Sequence, residues 1–243
     1  MRRGAIVRVV TIALLAAAAA TAIAIFIRWL PAADSKEAER IDLVFWVVVA
    51  ICIGVFAVVA AISIYSVVKF RVRPDDDSDG PPIHGHTGLE IVWTAIPTIL
   101  VTGVALLSAV ALAENGHLKS NRLEVDVTAR QFVWSFKYPQ YGDFQSNELR
   151  LIEGRQVRLS LTSLDVIHSF WVPEFRQKQD AVPGEVTHLP ITPLKTGKYT
   201  LICTELCGLG HALMRAPVIV MTPAAFEQWA RAQQQQGAQG ASG

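Results

Sequence analysis

The chain has 243 residues, 51% of them apolar and 18% charged, with a net charge of +1 and a mean hydropathy of +0.35. It is too apolar for a disordered chain and too weakly charged for an ordinary water-soluble one. It also lacks the bulk positive charge of a nucleic-acid binder, and its three cysteines exclude a disulfide-dense scaffold.

The apolar residues concentrate in the first half. Residues 9–27, 43–68 and 91–113 are uncharged runs of 19, 26 and 23 residues, and a helix of about 20 apolar residues spans the hydrocarbon core of a bilayer. The first run lies within residues 1–30, behind Arg2 and Arg3, and holds an alanine-rich stretch at 16–22. It reads as a signal peptide or as an extra transmembrane helix. The runs 43–68 and 91–113 predict a two-helix transmembrane hairpin within 31–114, with Pro97 in the first turns of the later helix, where a proline is best tolerated. Residues 34–41 read as an outer-surface lead-in without chemistry. Lys69, Arg71 and Arg73 place the loop 69–90 on the inner face, and the nearby Asp75, Asp76 and Asp77 count little in that rule. The second half then lies outside, in an oxidising compartment. Glu90 stands at the inner end of the later hairpin helix, and a carboxylate there is a functional candidate.

From Leu123 onward the pattern changes to period two. Leu123, Val125 and Val127 alternate with polar neighbours, as do Phe132, Trp134, Phe136 and Tyr138, and Val157, Leu159 and Leu161. Further strands are predicted at 167–172, 186–191, 198–203 and 216–221, punctuated by glycine and proline. Residues 115–232 therefore read as an all-β sandwich or barrel. Thr222 and Pro223 suit the start of a closing helix over 224–231, and the Gln/Gly/Ser/Ala-rich tail 233–243 reads as disordered.

The chemistry concentrates in Cys203-Thr-Glu-Leu-Cys207-Gly-Leu-Gly-His211-Ala-Leu-Met214, with His168 35 residues before Cys203. Two cysteines alone could form a disulfide, a lone histidine is more often structural, and a lone methionine is more often core. Their concentration on one loop argues for a metal. The Cys-x3-Cys spacing excludes c-type haem attachment, and structural zinc has no use for a thioether. Thiolate, thioether and imidazole together select copper. Two thiolates separated by three residues can bridge two copper ions, each completed by one histidine, which suits electron transfer.

On these residues the chain resembles subunit II of cytochrome c oxidase, the subunit bearing the dinuclear CuA centre. Asp165-Val-Ile-His168-Ser-Phe, Asp180-Ala-Val-Pro183-Gly184, the Cys203–Met214 run and Leu89-Glu90-Ile-Val-Trp93-Thr94-x-x-Pro97 match that family's motifs. The resemblance implies a membrane protein of the α+β class, with a cupredoxin-like domain behind a transmembrane hairpin. It implies a CuA centre held by His168, Cys203, Cys207, His211, Met214 and the Glu205 carbonyl. It implies that the Glu205 side chain helps to hold magnesium at the contact with subunit I. Glu90 would be the entrance carboxylate of a proton-uptake pathway. Electrons would pass from a c-type cytochrome to CuA and then to haem in subunit I, where oxygen is reduced and protons are pumped. The setting would be a bacterial cell membrane, with the CuA domain on the outer face.

One departure stands out. The family's electron-accepting tryptophan is replaced by Phe132, and the usual nearby carboxylate by Lys137; Trp134 remains but reads as core. Residues 114–243 carry 12 acidic and 13 basic side chains, without the acidic excess that steers a basic cytochrome. A membrane-tethered or complex-bound donor is therefore expected. A quinol oxidase subunit would lack the copper ligands. A membrane-anchored copper-delivery protein also uses Cys-x3-Cys, but on a βαβ fold and without the methionine.

Overall fold

The computed structural model describes residues 3–71, 75, 80 and 82–240. Arg2, Arg73, Asp76 and Asp77, named above in the charge pattern, lie outside the described residues, as do 241–243 of the tail. The chain divides into two compact units. One comprises Met1–Leu30 with Leu43–Ala109, the other Pro31–Asp42 with Val110–Gly243.

The first unit is helical. Helix α1 spans Arg3–Phe26, α2 spans Lys36–Lys69 and α3 spans Thr87–Gly116, and all three are long and apolar enough to cross a membrane. Almost nothing in their apolar windows is buried, as expected of helices whose apolar side chains face lipid or other subunits. Helix α3 starts four residues before the predicted run, so Pro97 falls one turn deeper in it, in the third turn. The early start has a local cause. His86 Nδ1 accepts the Leu89 N–H at 3.1 Å, and Glu90 Oε1 accepts the His86 N–H at 3.2 Å. This reciprocal pair satisfies N–H groups that a helix N-terminus leaves free.

The second unit is a β-sandwich, as its period-two sequence predicts. Among the described residues, ten strands form two five-stranded sheets. The strands are β1 Leu123–Arg130, β2 Val133–Tyr138, β3 Phe144–Ser146, β4 Leu149–Ile152, β5 Val157–Ser163, β6 His168–Trp171, β7 Lys178–Ala181, β8 Thr187–Ile191, β9 Gly197–Cys203 and β10 Arg215–Met221. The sheet orders are β3-β2-β1-β5-β8 and β4-β10-β9-β6-β7. The β1–β5 and β4–β10 pairs are parallel. Alternate residues of both sheets meet in one core that includes Val125, Val127, Trp134, Phe136, Leu159, Phe170 and Val218. The short strands β3, β4 and β7 were too brief to show a period.

Phe132 departs from the alternation assigned to it. Gln131 and Phe132 form the two-residue turn between β1 and β2, where Arg130 pairs with Val133. Phe132 is therefore partly exposed while Trp134, Phe136 and Tyr138 are buried.

Residues 31–42 pack with the sandwich rather than acting as a mere lead-in. Glu37 is buried, and its carboxylate accepts both the Thr192 N–H and the Thr192 hydroxyl at 2.8 Å. That pairing offsets the cost of burying a charge. Arg176 makes a two-pronged ion pair with Asp42 at 2.7 and 3.1 Å, and Arg40 pairs with Glu114 at 2.7 Å.

The closing helix α4 runs Pro223–Gly240, with the Ala225 N–H 3.4 Å from the Thr222 hydroxyl. Its Phe226 and Trp229 pack edge-on against each other and close to Tyr138. The tail expected to be disordered is helical to Gly240. Gln and Ala are good helix formers, and Gln234 donates to the Tyr141 carbonyl at 2.6 Å.

Candidate metal centre

The ligand loop is the β9–β10 connection. Cys203 ends β9, Arg215 opens β10, and the Cys203 N–H bonds the Met214 carbonyl at 3.1 Å. A 3-10 turn over His211–Leu213 brings His211 back over the loop. His168 comes from elsewhere, as the first residue of β6. That strand pairs with β9, placing Phe170 opposite Cys203.

These elements bring the predicted donors together. Cys203 Sγ lies 3.9 Å from His168 Nδ1, 3.9 Å from Cys207 Sγ and 3.3 Å from the Glu205 carbonyl. Cys207 Sγ lies 3.6 Å from His211 Nδ1 and 3.8 Å from Met214 Sδ. His168 and Met214 are fully buried and both thiols nearly so, while His211 is half-buried. The sulfurs are too far apart for a disulfide, which needs about 2.05 Å, and both cysteines are free. Two thiols, two imidazole nitrogens, a thioether and a carbonyl thus face one another, and this donor set fits copper.

The electrostatics follow from burial. Burial, and then the neighbouring Cys203, push the Cys207 thiol up to about 11. Asp165 shows the opposite balance. Burial alone would raise its carboxyl, but bonds from the Gln131 N–H, His168, the Val166 N–H and Ser163 hold it well below the usual carboxylate range.

Two glycines shape the loop. Gly208 has φ +133°, open to glycine but rarely to other residues, and a Cβ there would lie 2.8 Å from Gln131 Nε2. At Gly210 a Cβ would meet the Phe132 ring at 2.5–2.9 Å. Phe132 therefore lies flush on the ligand loop, and the Gln131 side chain donates to the Cys207 carbonyl. Trp134 is buried with its ring edge-on to His168, 6.1 Å between centroids. The Glu205 side chain is exposed. Glu90 is exposed in the first turn of α3, in the other unit. Asp165 stood within a sequence motif and Gln131 directly before Phe132, yet no spacing rule marked either as a support. Their role emerges only when the β1–β2 turn meets the segment before β6.

Comparisons with known proteins show the family. The model of the cytochrome c oxidase subunit II periplasmic domain matches residues 145–222, and that of its transmembrane domain matches residues 20–110. A cytochrome c oxidase subunit 2 from Synechocystis sp. is 34% identical, covering 84% of this chain and 75% of that protein. One from Thermostichus vulcanus is also 34% identical, covering 84% of this chain and 78% of that protein. The solved periplasmic domain of subunit II of cytochrome oxidase from Bradyrhizobium japonicum is 29% identical, with a TM-score of 0.47, covering 49% of this chain and 99% of that one. The chain belongs to the cytochrome c oxidase subunit II family, with transmembrane helices and a β-domain whose donor set fits copper.

Proposed function

We propose that the chain is subunit II of a proton-pumping cytochrome c oxidase. It takes electrons from a c-type cytochrome at a dinuclear CuA centre and serves their delivery to haem in subunit I, where oxygen is reduced to water. The observation that carries this reading is the convergence of His168, Cys203, Cys207, His211 and Met214 at 3.6–3.9 Å contacts. When bound, the copper pair supplies a one-electron store shared between two ions.

The chain's own residues do the rest. Cys203 and Cys207 would hold the copper pair together with His168 and His211, and Met214 and the Glu205 carbonyl would serve as weaker donors. Burial of four of these side chains keeps them from water. That favours electron transfer over catalysis at the metal.

Phe132 is the electron-intake position, since it lies on the loop and reaches solvent. Trp134 packs behind His168 as core. The surface near Phe132 carries apolar side chains, with Leu206, Leu209 and Leu213 exposed on the loop and Leu164 exposed directly after β5 ends at Ser163. Lys137 is paired with Asp143 at 3.0 Å. Such a face suits a membrane-tethered or complex-bound cytochrome, which needs little charge steering. The Glu205 carboxylate is free to help hold magnesium against subunit I, and Glu90 is the candidate entrance for protons. The positive inner loop supports a β-domain on the outer face of a bacterial cell membrane.

The test is copper per chain and the EPR spectrum of the full-length chain in detergent. Two coppers with one electron delocalised over both is the expected result. One copper, or a Cys203–Cys207 disulfide with none, overturns the reading and puts copper delivery first.

A further inference from the structure

The two histidines of the centre are not equivalent. Asp165 Oδ1 lies 2.8 Å from His168 Nε2. His211 Nε2 has no hydrogen-bond partner among the described residues. The Asp165 carboxylate also gathers main-chain donors. Oδ1 accepts the Val166 N–H at 2.7 Å and Oδ2 accepts the Gln131 N–H at 2.7 Å. The Ser163 hydroxyl stands 3.2 Å from Oδ1. Backbone N–H groups can only donate, so both oxygens of Asp165 are committed as acceptors. The hydrogen between Asp165 and His168 therefore sits on Nε2, and Nδ1, which faces Cys203, carries the lone pair.

We propose that Asp165 is the positioning residue of the metal centre. It holds His168 in the one tautomer that can ligate from Nδ1, and through the Gln131 N–H it ties the Phe132 turn to the same frame. Gln131 extends the tie, since its side chain donates to the Cys207 carbonyl. One carboxylate thus links the buried ligand strand, the intake turn and the thiol loop. Ligating histidines are commonly oriented through their second ring nitrogen, and loss of that partner typically costs about 10–100-fold in metal affinity. This consequence for copper rests on the proposed CuA reading; the tautomer and the tie to the turn do not.

The substitution Asp165→Asn tests it, because an amide cannot satisfy both sides. With its NH2 at the Oδ1 position it faces the Val166 N–H and donates to His168 Nε2, reversing the tautomer. With its NH2 at the Oδ2 position it faces the Gln131 N–H and releases the turn. The probe is the metal-free, full-length chain in detergent micelles, labelled with 15N at histidine and in the backbone. In the unaltered protein His168 is expected as the Nε2–H form. In Asp165→Asn either that signature reverses or the Gln131 amide signal moves, and copper affinity falls about 10–100-fold. Asp165→Glu keeps a carboxylate and restores the Nε2–H signature. Unchanged His168 and Gln131 signals in Asp165→Asn overturn the proposal, as does equal loss of copper in the Asn and Glu variants without a tautomer change. If the unaltered chain binds no copper yet the nitrogen signals behave as stated, the CuA reading fails and the positioning role of Asp165 stands.

Discussion

The two sides of the donor set are built on different principles. His168 arrives on a strand, is wholly buried, and is fixed by a carboxylate beyond it. His211 arrives on a 3-10 turn, is half-buried, and is held by the course of a loop that two glycines keep flush against Phe132. Hydrogen bonding secures one side, and steric fit the other. The sulfurs between them belong to both, since Cys207 touches Cys203, His211 and Met214. A lesion on either side should therefore leave the other partly formed, whereas a lesion at the sulfurs should not.

The largest effect is expected at the shared sulfur. Cys207→Ser removes a soft ligand common to both positions and leaves a hard hydroxyl. Copper affinity should fall by more than the roughly 100-fold typical of losing a supporting hydrogen bond, with the delocalised EPR signal gone. Retention of two coppers would mean that the sides do not share Cys207.

Gly210→Ala attacks the steric side alone. Its Cβ would sit within 3 Å of the Phe132 ring, and such overpacking costs about 1–3 kcal/mol. Thermal unfolding should show the loss, and adding Phe132→Ala should recover most of it, a coupling that a double-mutant cycle measures. Additive losses would show that Phe132 does not press on the loop.

The comparison also explains what was legible in the sequence. The ligands on the loop are contiguous, so residue type and spacing expose them. His168 was readable through its motif. Asp165 and Gln131 act through contacts between segments distant along the chain, and hydrogen bonds of that kind leave no periodic trace. The same holds for the fold. The longer alternating strands were visible, whereas the short β3, β4 and β7 were not. The clamp of residues 31–42 onto the sandwich depends on the buried Glu37–Thr192 pair, and in the sequence Glu37 looks like any polar residue before a membrane helix.

A smaller effect follows from protons. Burial and Cys203 raise the Cys207 thiol to about 11 in the metal-free protein, so copper must displace its proton over the whole neutral range. The protonated form gains as pH falls, and copper affinity should fall with it. The expected slope is about tenfold, roughly 1.4 kcal/mol, per pH unit for each proton displaced. Competition titrations between pH 6 and 9 read this slope. A flat profile would place the thiol already deprotonated and contradict the burial argument.

The smallest effect is expected at the surface, where the two sides meet solvent through Phe132. A soluble basic cytochrome c gains speed from an acidic face, reaching about 10⁸–10⁹ M⁻¹s⁻¹ at low salt, against about 10⁵–10⁶ for a neutral encounter. Here the exposed side chains around the turn include Leu164, Leu206, Leu209 and Leu213, and Lys137 stands paired with Asp143. Apolar contact is not screened by salt, whereas exposed charge pairs are, over about 10 Å at 0.1 M. Electron uptake by the full-length complex from a soluble basic cytochrome should therefore stay in the neutral range and change little between low and high ionic strength. A steep fall with salt would reveal an acidic steering patch away from Phe132. It would shift the donor from a tethered or complex-bound cytochrome to a freely diffusing one, while the copper site beneath would stand unchanged.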